Sequence, residues 1–568
     1  MEWKFIPGDQ ERIKDLSRSL NLPFSVCRLL LNRGLHEADI VRDFFSPSLN
    51  RLPSPTLMKD MDKAVNRILK ACQQKERIAV FGDYDADGVT ATALLVHFLK
   101  PLFPELLYYI PHRLREGYGL SLPGITTLKE RGISLIITVD CGISNHQEIE
   151  FAQGLGIEVI VTDHHQISKK GVPSAVAVLN PKQPGCGFPF KELAGVGVAF
   201  YLLIALRQTL DGQGFFSKGK PNLKVYLDRV ALGTVADVVP LLGVNRIFVR
   251  EGLEVLSRSP HTGLAALKEV CGLPADRALS AYDIGFRLAP RINALGRIEE
   301  AGGGVQLLTT DDLLQAKDMA QHMHQENTRR QALEQKMLLE IDQLLMSKTD
   351  WEKRRTLVLG SETWHRGILG LAASRLTERY SKPVFLFSIE GEMAHGSGRS
   401  VEGFHLFNGL EALEGFLTRF GGHEAAAGAT LPSLDLLAFE EALENLVQDT
   451  VPESTLGPSL SLEGECDFVT LVKEIASVLP WMAPFGEKNP EPLLASRQVK
   501  VKSLRKVGNG HLKLKLEQQG MVVDGIGFGM GHMNLQAGEQ IDLAYHPFIS
   551  EYNGASRLEL RIRDIQRA

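Results

Sequence analysis

Short β-rich runs alternate with helical patterns from Met58 to about Leu242, and three of them run directly into acidic segments. Arg77 to Phe81 leads into Gly82-Asp-Tyr-Asp-Ala-Asp-Gly88, Leu135 to Val139 into Asp140-Cys141-Gly142, and Glu158 to Thr162 into Asp163-His164-His165. Strands joined through helices form a mostly parallel sheet with right-handed crossovers. The run Ala175 to Leu179 continues the series. In such a sheet the carboxyl ends of the strands line one crevice, so residues just past them converge however far apart they lie in sequence. A fourth acidic segment, Ala236-Asp237-Val238-Val239-Pro240, joins them. Carboxylates forced together repel unless cations neutralise them. The series predicts a hydrolytic enzyme with a divalent-metal site.

Asp83, Asp85 and Asp87 alternate past a strand and precede an apolar helix from Val89. An EF-hand loop opens with the same pattern, but it needs a bidentate acid at its twelfth position, here Leu94, and a helix before it. Asp163-His164-His165 places an acid and two imidazoles after an apolar strand, a poor choice for packing and a good one for ligation and catalysis. Asp237 lies in a helical stretch, Leu227 to Val239, that is otherwise apolar, and a buried acid needs a partner. Oxygen-rich ligation with one imidazole suits Mg²⁺ or Mn²⁺ better than zinc. Two such ions sharing a carboxylate clamp the attacking and leaving oxygens of a phosphoryl group, so phosphodiester hydrolysis is the expected chemistry.

At 568 residues the chain has room for several domains. Its net charge of −5 excludes a uniformly basic coat but not a local basic groove. Six scattered cysteines give neither a zinc ribbon nor a disulfide framework, and no signal peptide is read at Met1, which fits a cytoplasmic protein. Leu193 to Leu206 reads as a buried helix, too short to span a bilayer. The divisions expected are a helical segment at 1–55, a catalytic α/β domain at 56–310, a bridging helix at 311–350, a second α/β domain at 351–452 and a β-barrel at 453–568. The helix, Leu313 to Met346, has a polar waist at His324 to Gln331 that reads as exposed to solvent. In the last part Leu512, Leu514 and Leu516 alternate with Lys513 and Lys515, and Asn509-Gly510 and Asn553-Gly554 read as hairpin turns needing positive φ.

Taken together, these segments resemble the DHH phosphoesterase family and, within it, the bacterial RecJ-type single-strand-specific DNA exonucleases. Further motifs carry the likeness: Pro111-His-Arg-Leu-Arg-Glu-Gly-Tyr-Gly119, Arg287-Leu-Ala-Pro-Arg-Ile-Asn-Ala-Leu-Gly-Arg297 and Phe420-Gly-Gly-His-Glu-Ala-Ala-Ala-Gly428. The resemblance runs nearly the whole length and implies a DHH domain, a DHHA1 domain and an OB-like barrel. It implies 5′→3′ hydrolysis of single-stranded DNA to 5′-mononucleotides, in recombination and repair. Asp83 and Asp85 would hold one ion, Asp87, His164 and Asp237 the other, Asp140 would bridge them, and His165 would contact the scissile phosphate. Many DHH relatives carry a His where this chain has Phe81, and Asp83 is the expected substitute.

Substrate contacts are expected from Arg113, Arg291, Asn293, Arg297, His365, Arg366, Ser397, Arg399 and His423. Several of these sit among glycines or at a helix start, where backbone can approach a phosphate. From Glu491 onward 11 Lys and Arg stand against 8 Asp and Glu, a net of +3. There Lys500, Lys502, Arg505, Lys506, Lys513 and Lys515 are expected to share a strand face that tracks the DNA backbone, with affinity falling steeply with salt. The family suggests a single-strand-binding protein and a helicase as partners, a monomer, and no membrane. Two alternatives are a DHH enzyme acting on short RNA, cyclic dinucleotides or pyrophosphate, and a non-catalytic module on a dead enzyme. A long helix and a basic barrel disfavour the first, and an intact acidic cluster disfavours the second.

Overall fold

The computed structural model describes residues 1–113, 115–216, 219–258, 261–275, 277–298, 301–453, 456–552 and 555–567. The expected turn at Asn553-Gly554 lies outside them. The chain divides into two compact units, and those described residues fall as 3–296, 301–321 and 460–567 in the larger and 1–2, 297–298 and 322–459 in the smaller.

In the larger unit, β1 (Glu2–Phe5) precedes helices Gln10–Leu20, Phe24–Leu31 and Ala38–Phe45, so the N-terminal stretch is not wholly helical. Ile13, Leu16, Val26 and Leu30 from these helices share one apolar core with Val501 and Leu514 of the C-terminal strands. The central sheet contains β2 (Ile78–Gly82), β3 (Leu107–Tyr109), β4 (Leu135–Val139), β5 (Glu158–Thr162) and β6 (Ala177–Leu179), in the order β3-β2-β4-β5-β6 and parallel throughout. Its strands are apolar runs because helices cover both faces. The helix Gly195–Gly212 is buried along most of its length, as its composition implies.

Chain order reverses between β2 and β4, since β3 lies on one side of β2 and the later strands on the other. That reversal is where ligands bind in open α/β sheets. Register sharpens the point: Gly82 faces Val139, Val139 faces Thr162, and Thr162 faces Leu179. The next residues, Asp83, Asp140, Asp163 and Asn180, therefore emerge side by side at one sheet edge.

The smaller unit holds β7 (Leu357–Ser361), β8 (Val384–Glu390), β9 (Met393–Arg399), β10 (Arg419–Gly422) and β11 (Ala426–Pro432), in the order β10-β11-β9-β8-β7, with β7 and β8 parallel. The long helix Leu313–Ser347 begins in the larger unit and ends in this one. Its polar waist is not solvent-exposed throughout. Glu326, Asn327 and Arg330 are buried, as is Glu334 one turn on. Arg330 donates to Asn327 at 2.7 Å and to Glu334 at 2.7 Å, so spacing of three and four residues lets one face satisfy its own polar groups.

The C-terminal part returns to the larger unit. After β12 (Ser459–Leu462) and β13 (Gly464–Glu465) come β14 (Leu494–Val507), β15 (His511–Gln518), β16 (Met521–Gly527), β17 (Gln540–Tyr552) and β18 (Ala555–Arg567). The order β14-β15-β16-β18-β17 closes on itself through β14–β17 pairing, a five-stranded barrel of the OB type. The β14–β15 turn has positive φ at Gly508 and Gly510 and not at Asn509, so it is a three-residue loop rather than an Asn-Gly pair. No described helix is long and apolar enough to cross a membrane.

Candidate active site

Asp83, Asp140 and Asp163 leave the sheet edge in register, and local hydrogen bonding decides what each can do. Asp85 caps the helix Ala86–Leu99, its Oδ1 accepting from the Asp87 and Gly88 amides at 2.9 and 3.0 Å. Gly88 is required there, because a Cβ would lie 2.6 Å from the Asp83 backbone. In the first turn of that helix, Asp87 receives the first amides of helix Gly195–Gly212, from Gly195 at 2.6 Å and Val196 at 2.9 Å. A helix start thus holds a carboxylate that burial would otherwise disfavour. A Cβ at Gly195 would meet Asp140, and one at Gly233 would meet Asp87, so both glycines make room for the cluster.

Asp163 accepts from the His164 and His165 amides, from His165 Nδ1 at 2.8 Å and from the Ile143 amide at 2.9 Å. Every donor comes from the protein, so Asp163 orients its neighbours. Burial opposes its charge, but the His165 bond and the two imidazoles outweigh that and hold it down to about 2. His165 is correspondingly raised: burial pulls it down, and Asp163 more than compensates. Tyr118 donates to the Asp140 carbonyl at 2.8 Å and stands 3.0 Å from His165 Nδ1. Asn180 donates to the His165 carbonyl at 3.0 Å.

The remaining groups lack such partners. His164 Nε2 is 3.1 Å from Asp140 Oδ1 and 3.4 Å from Asp237 Oδ2. None of these three atoms, nor Asp83 Oδ1, has a hydrogen-bond partner among the described residues, although all are buried. Orphaned buried acceptors are rare and call for a missing species. Burial first, then Asp85, raises Asp83 well above the usual carboxylate range. Burial first, then the neighbouring aspartates, does the same to Asp140 and Asp237 and pushes Asp87 up to about 7. Burial, then His165, lowers His164 to about 3, which keeps it neutral and able to donate a lone pair. Asp140 holds φ near 59°, a left-handed conformation that is strained for a residue with a Cβ. Three overlapping groups each have donors within 4.8 Å of one another: Asp83, Asp85 and Asp140; Asp87, His164 and Asp237; and Asp140, His164 and His165. Buried oxygen donors with an imidazole, several of them without a hydrogen-bond partner, fit divalent cations.

Structure thus brings together all seven residues read from the four acidic segments. Arg113 stacks over Tyr84 at 4.9 Å, and its charge reaches Asp83. Arg291 donates to the Arg287 carbonyl, and Asn293 Oδ1 accepts from the Ala86 amide at 2.7 Å, which braces the aspartate loop. In the smaller unit Arg297 donates to the Gly367 carbonyl, whose amide bonds His365 Nδ1. Ser397 and Arg399 are 3.3 Å apart against Gly370, where a Cβ would strike both. Arg366 lies 3.6 Å from Glu390, and His423 is exposed between β10 and β11. Gly396 and Gly398 have a packing reason beyond phosphate approach: each faces a phenylalanine, Phe387 and Phe385, whose ring would meet a Cβ at 2.3 Å.

On the barrel, register places Arg505 opposite Lys513 and Ser503 opposite Lys515, pointing outward, while Val501 and Leu504 point in. A bulge between Val501 and Ser503 brings Lys502 outward, 3.2 Å from Glu517. Lys500 is also outward, but Lys506 pairs with buried Leu512 and falls on the other face, so the six do not all share one. Asp163 stood in a segment singled out from sequence but had no role assigned to it, and Tyr118 and the Gly195 and Val196 amides were not read as site groups. Tyr118 stood in a quoted motif, and nothing in the chain pattern marks the two amides.

Residues 77–234 match the DHH family, N-terminal domain; 354–450 match the DHHA1 domain; and 462–564 match the RecJ OB domain. The chain is 36% identical to the single-stranded-DNA-specific exonuclease RecJ of Bacillus subtilis over 99% of its length and 70% of that protein. It is 38% identical to the RecJ of Escherichia coli over 96% of both chains. A crystal structure of Thermus thermophilus RecJ in complex with Mn²⁺ superposes with a TM-score of 0.83 at 31% identity, covering all of this chain and 80% of that one. The same relative in complex with Mg²⁺ gives a TM-score of 0.77. With these likenesses spanning the sheet-edge site, the second α/β domain and the barrel, the chain belongs to the RecJ family of single-stranded-DNA-specific exonucleases.

Proposed function

We propose that this chain is a metal-dependent 5′→3′ exonuclease that hydrolyses single-stranded DNA to 5′-mononucleotides in recombination and repair. The observation that carries this is the convergence of orphaned donors from Asp83, Asp140, His164 and Asp237 at the sheet's reversal point. Asp83 and Asp85 would hold one ion, Asp87, His164 and Asp237 the other, and Asp140 both, in keeping with the donor groups. Two bound Mn²⁺ or Mg²⁺ ions supply a nucleophilic water and stabilise charge on the attacking and leaving oxygens.

The protein's own groups supply the rest. His165, whose hold on a proton Asp163 strengthens, would offer a hydrogen bond to a phosphate oxygen. Tyr118 ties the Asp140 backbone to that imidazole, so ligand and phosphate donor move together. Arg113, Arg291, Asn293, Arg297, His365, Arg366, Ser397, Arg399 and His423 are proposed to bind substrate, including a terminal 5′ phosphate. Lys500, Lys502, Arg505, Lys506, Lys513 and Lys515 of the barrel would track the backbone. A monomer working in the cytoplasm with a single-strand-binding protein and a helicase completes the proposal.

Digestion of single strands labelled at either end, with Mg²⁺ and with Mn²⁺, tests it. A 5′ label should appear first as mononucleotide, with a chelator abolishing the reaction. Release of the 3′ label first, or equal cleavage of short RNA and pyrophosphate, would overturn the assignment.

A further inference from the structure

Asn245 stands in the first turn of the helix Gly243–Arg258 and is fully buried. An asparagine at a helix start ordinarily accepts hydrogen bonds from the first helical amides. This one donates instead. Its Nδ2 lies 2.5 Å from the Glu192 carbonyl and 3.1 Å from the Pro240 carbonyl, so one amide group holds both. Its Oδ1 is buried without a partner among the described residues. An unpaired buried acceptor costs stability, and it is tolerated here where both donors are engaged.

The two carbonyls belong to segments that shape the acidic cluster. Three residues after Glu192 the Gly195 and Val196 amides begin to grip Asp87, and Gly195 leaves room for Asp140. Three residues before Pro240 stands Asp237, at the end of the helix Leu227–Ala236. Val238, between them, has φ near 60°, a strained conformation for a β-branched residue, so this segment needs a tether to keep its shape. Asn245 is itself fixed. Beside it the buried Arg246 guanidinium donates to the carbonyls of Phe44 at 2.8 Å, Trp481 at 2.8 Å, Met482 at 3.0 Å and Ala483 at 2.8 Å. The Leu241 amide donates to the Glu487 carbonyl at 2.9 Å. The tether thus runs from the acidic cluster to the N-terminal helices and to the chain that enters the barrel.

We propose that Asn245 is a positioning residue that sets the spacing of Asp87 and Asp237, and through it the affinity for the cation these two would share with His164. The inference rests on the two-ion reading above and adds the group that tunes one of the two sites. Asp87, His164 and Asp237 offer donors within 4.8 Å of one another, so a small drift of either tethered segment opens the group. Asp85 is held by the amides of its own helix, so the ion at Asp83 and Asp85 does not depend on the tether. Groups that hold ligands without touching the metal typically govern its affinity by about 10- to 100-fold.

Calorimetric titration of the chelator-stripped full chain with Mn²⁺ tests the tether, alongside kinetics on a mixed-sequence single strand. The unaltered chain should take up two ions. Asn245→Ala should weaken one of them by about 10- to 100-fold and leave the other as in the parent. Asn245→Ser, which keeps a single donor, should fall between. KM for DNA at saturating Mn²⁺ should stay that of the parent, while the Mn²⁺ concentration giving half the maximal rate rises with the loss of affinity. Leu256→Ala, fully buried farther along the same helix, loosens packing without touching either carbonyl and should bind both ions as the parent does. Parental affinity for both ions in the Asn245 variants, equal weakening of the two ions, or an equal loss in Leu256→Ala overturns the positioning role and leaves the exonuclease reading intact. If Asn245→Ala does not fold, the serine variant decides among the same outcomes. Uptake of fewer than two ions by the unaltered chain removes the two-ion reading and the inference with it.

Discussion

Asp228 and Arg229 are as deeply buried in the larger unit as Asp83, Asp140 and His164, yet their polar atoms find partners inside the protein. His261 Nδ1 is 2.6 Å from Asp228 Oδ2, Arg229 Nη1 is 3.0 Å from His261 Nε2, and two further guanidinium nitrogens donate to the Leu308 carbonyl. In that cluster an acid, an imidazole and a guanidinium form a closed network. At the sheet edge several acids and one neutral imidazole face each other with atoms left over. Buried charge alone says little about function, since structural networks bury it as well. Unsatisfied donors of one chemistry, aimed at one point, are what separate a metal cradle from a structural pair.

Asp140→Asn should break the comparison most visibly if it is wrong. Turnover of single-stranded DNA should fall by about 10⁴-fold if Asp140 is the shared metal ligand proposed above, since such a ligand contributes several kcal/mol to the transition state. The metal-free protein should melt at a higher temperature than the parent, since one of the repelling buried charges is gone. Calorimetry in chelator checks this, and a lower melting temperature would mean that these acids already satisfy each other. Asp228→Ala should do the reverse. Leaving His261 and Arg229 without their acid should cost about 3–5 kcal/mol of stability in denaturant, with or without metal, while the folded fraction keeps its kcat.

Acidity gives the sheet-edge cluster a pH signature. Asp87 is pushed up to about 7 by burial and then by Asp85. Its folded pKa therefore lies above the unfolded value of about 3.9. The folded metal-free protein binds more protons, so this group's contribution to stability is lost as pH rises from about 4 to 7. Metal replaces those protons. The stabilisation produced by a fixed Mn²⁺ concentration should accordingly grow over that window, on the order of 2 kcal/mol, as followed by thermal melting. A gain independent of pH would place the cation elsewhere.

Sequence exposes the cradle because strand ends are easy to read: short apolar runs stop at Gly82, Val139 and Thr162, and parallel register does the rest. What it hides is hydrogen bonding across crossovers. Asp163 and Asp140 follow equivalent strands, yet only the structure separates the orienting acid, saturated by His165 and Ile143, from the one with an orphaned oxygen. Asp87 depends on a helix start more than a hundred residues later in the chain. Gly396 and Gly398 read as phosphate-approach glycines, although cross-strand Phe387 and Phe385 already require them. The polar waist of the long helix likewise misleads, because side chains spaced by one turn can be buried once they pair.

The barrel repeats the contrast at its surface and yields the smallest effect. Arg497 bonds Glu465 at 2.9 Å and Asp542 at 2.8 Å, and it lies over the Trp3 ring, so its charge is already matched. Arg505 and Lys513 sit opposite each other on the outer face, and like charges directly across a sheet repel. That repulsion is relieved by a phosphate. Lys513→Gln should therefore reduce the slope of log affinity against log salt by about 1 on single-stranded DNA. It should leave stability unchanged or slightly improved. Arg497→Gln should leave the slope alone and lower stability by about 0.5 kcal/mol, as expected of exposed ion pairs. Titrations of both variants at several salt concentrations separate the outcomes, and an equal loss of slope in each would show that ion pairing on the barrel does not decide which of its cations meet DNA.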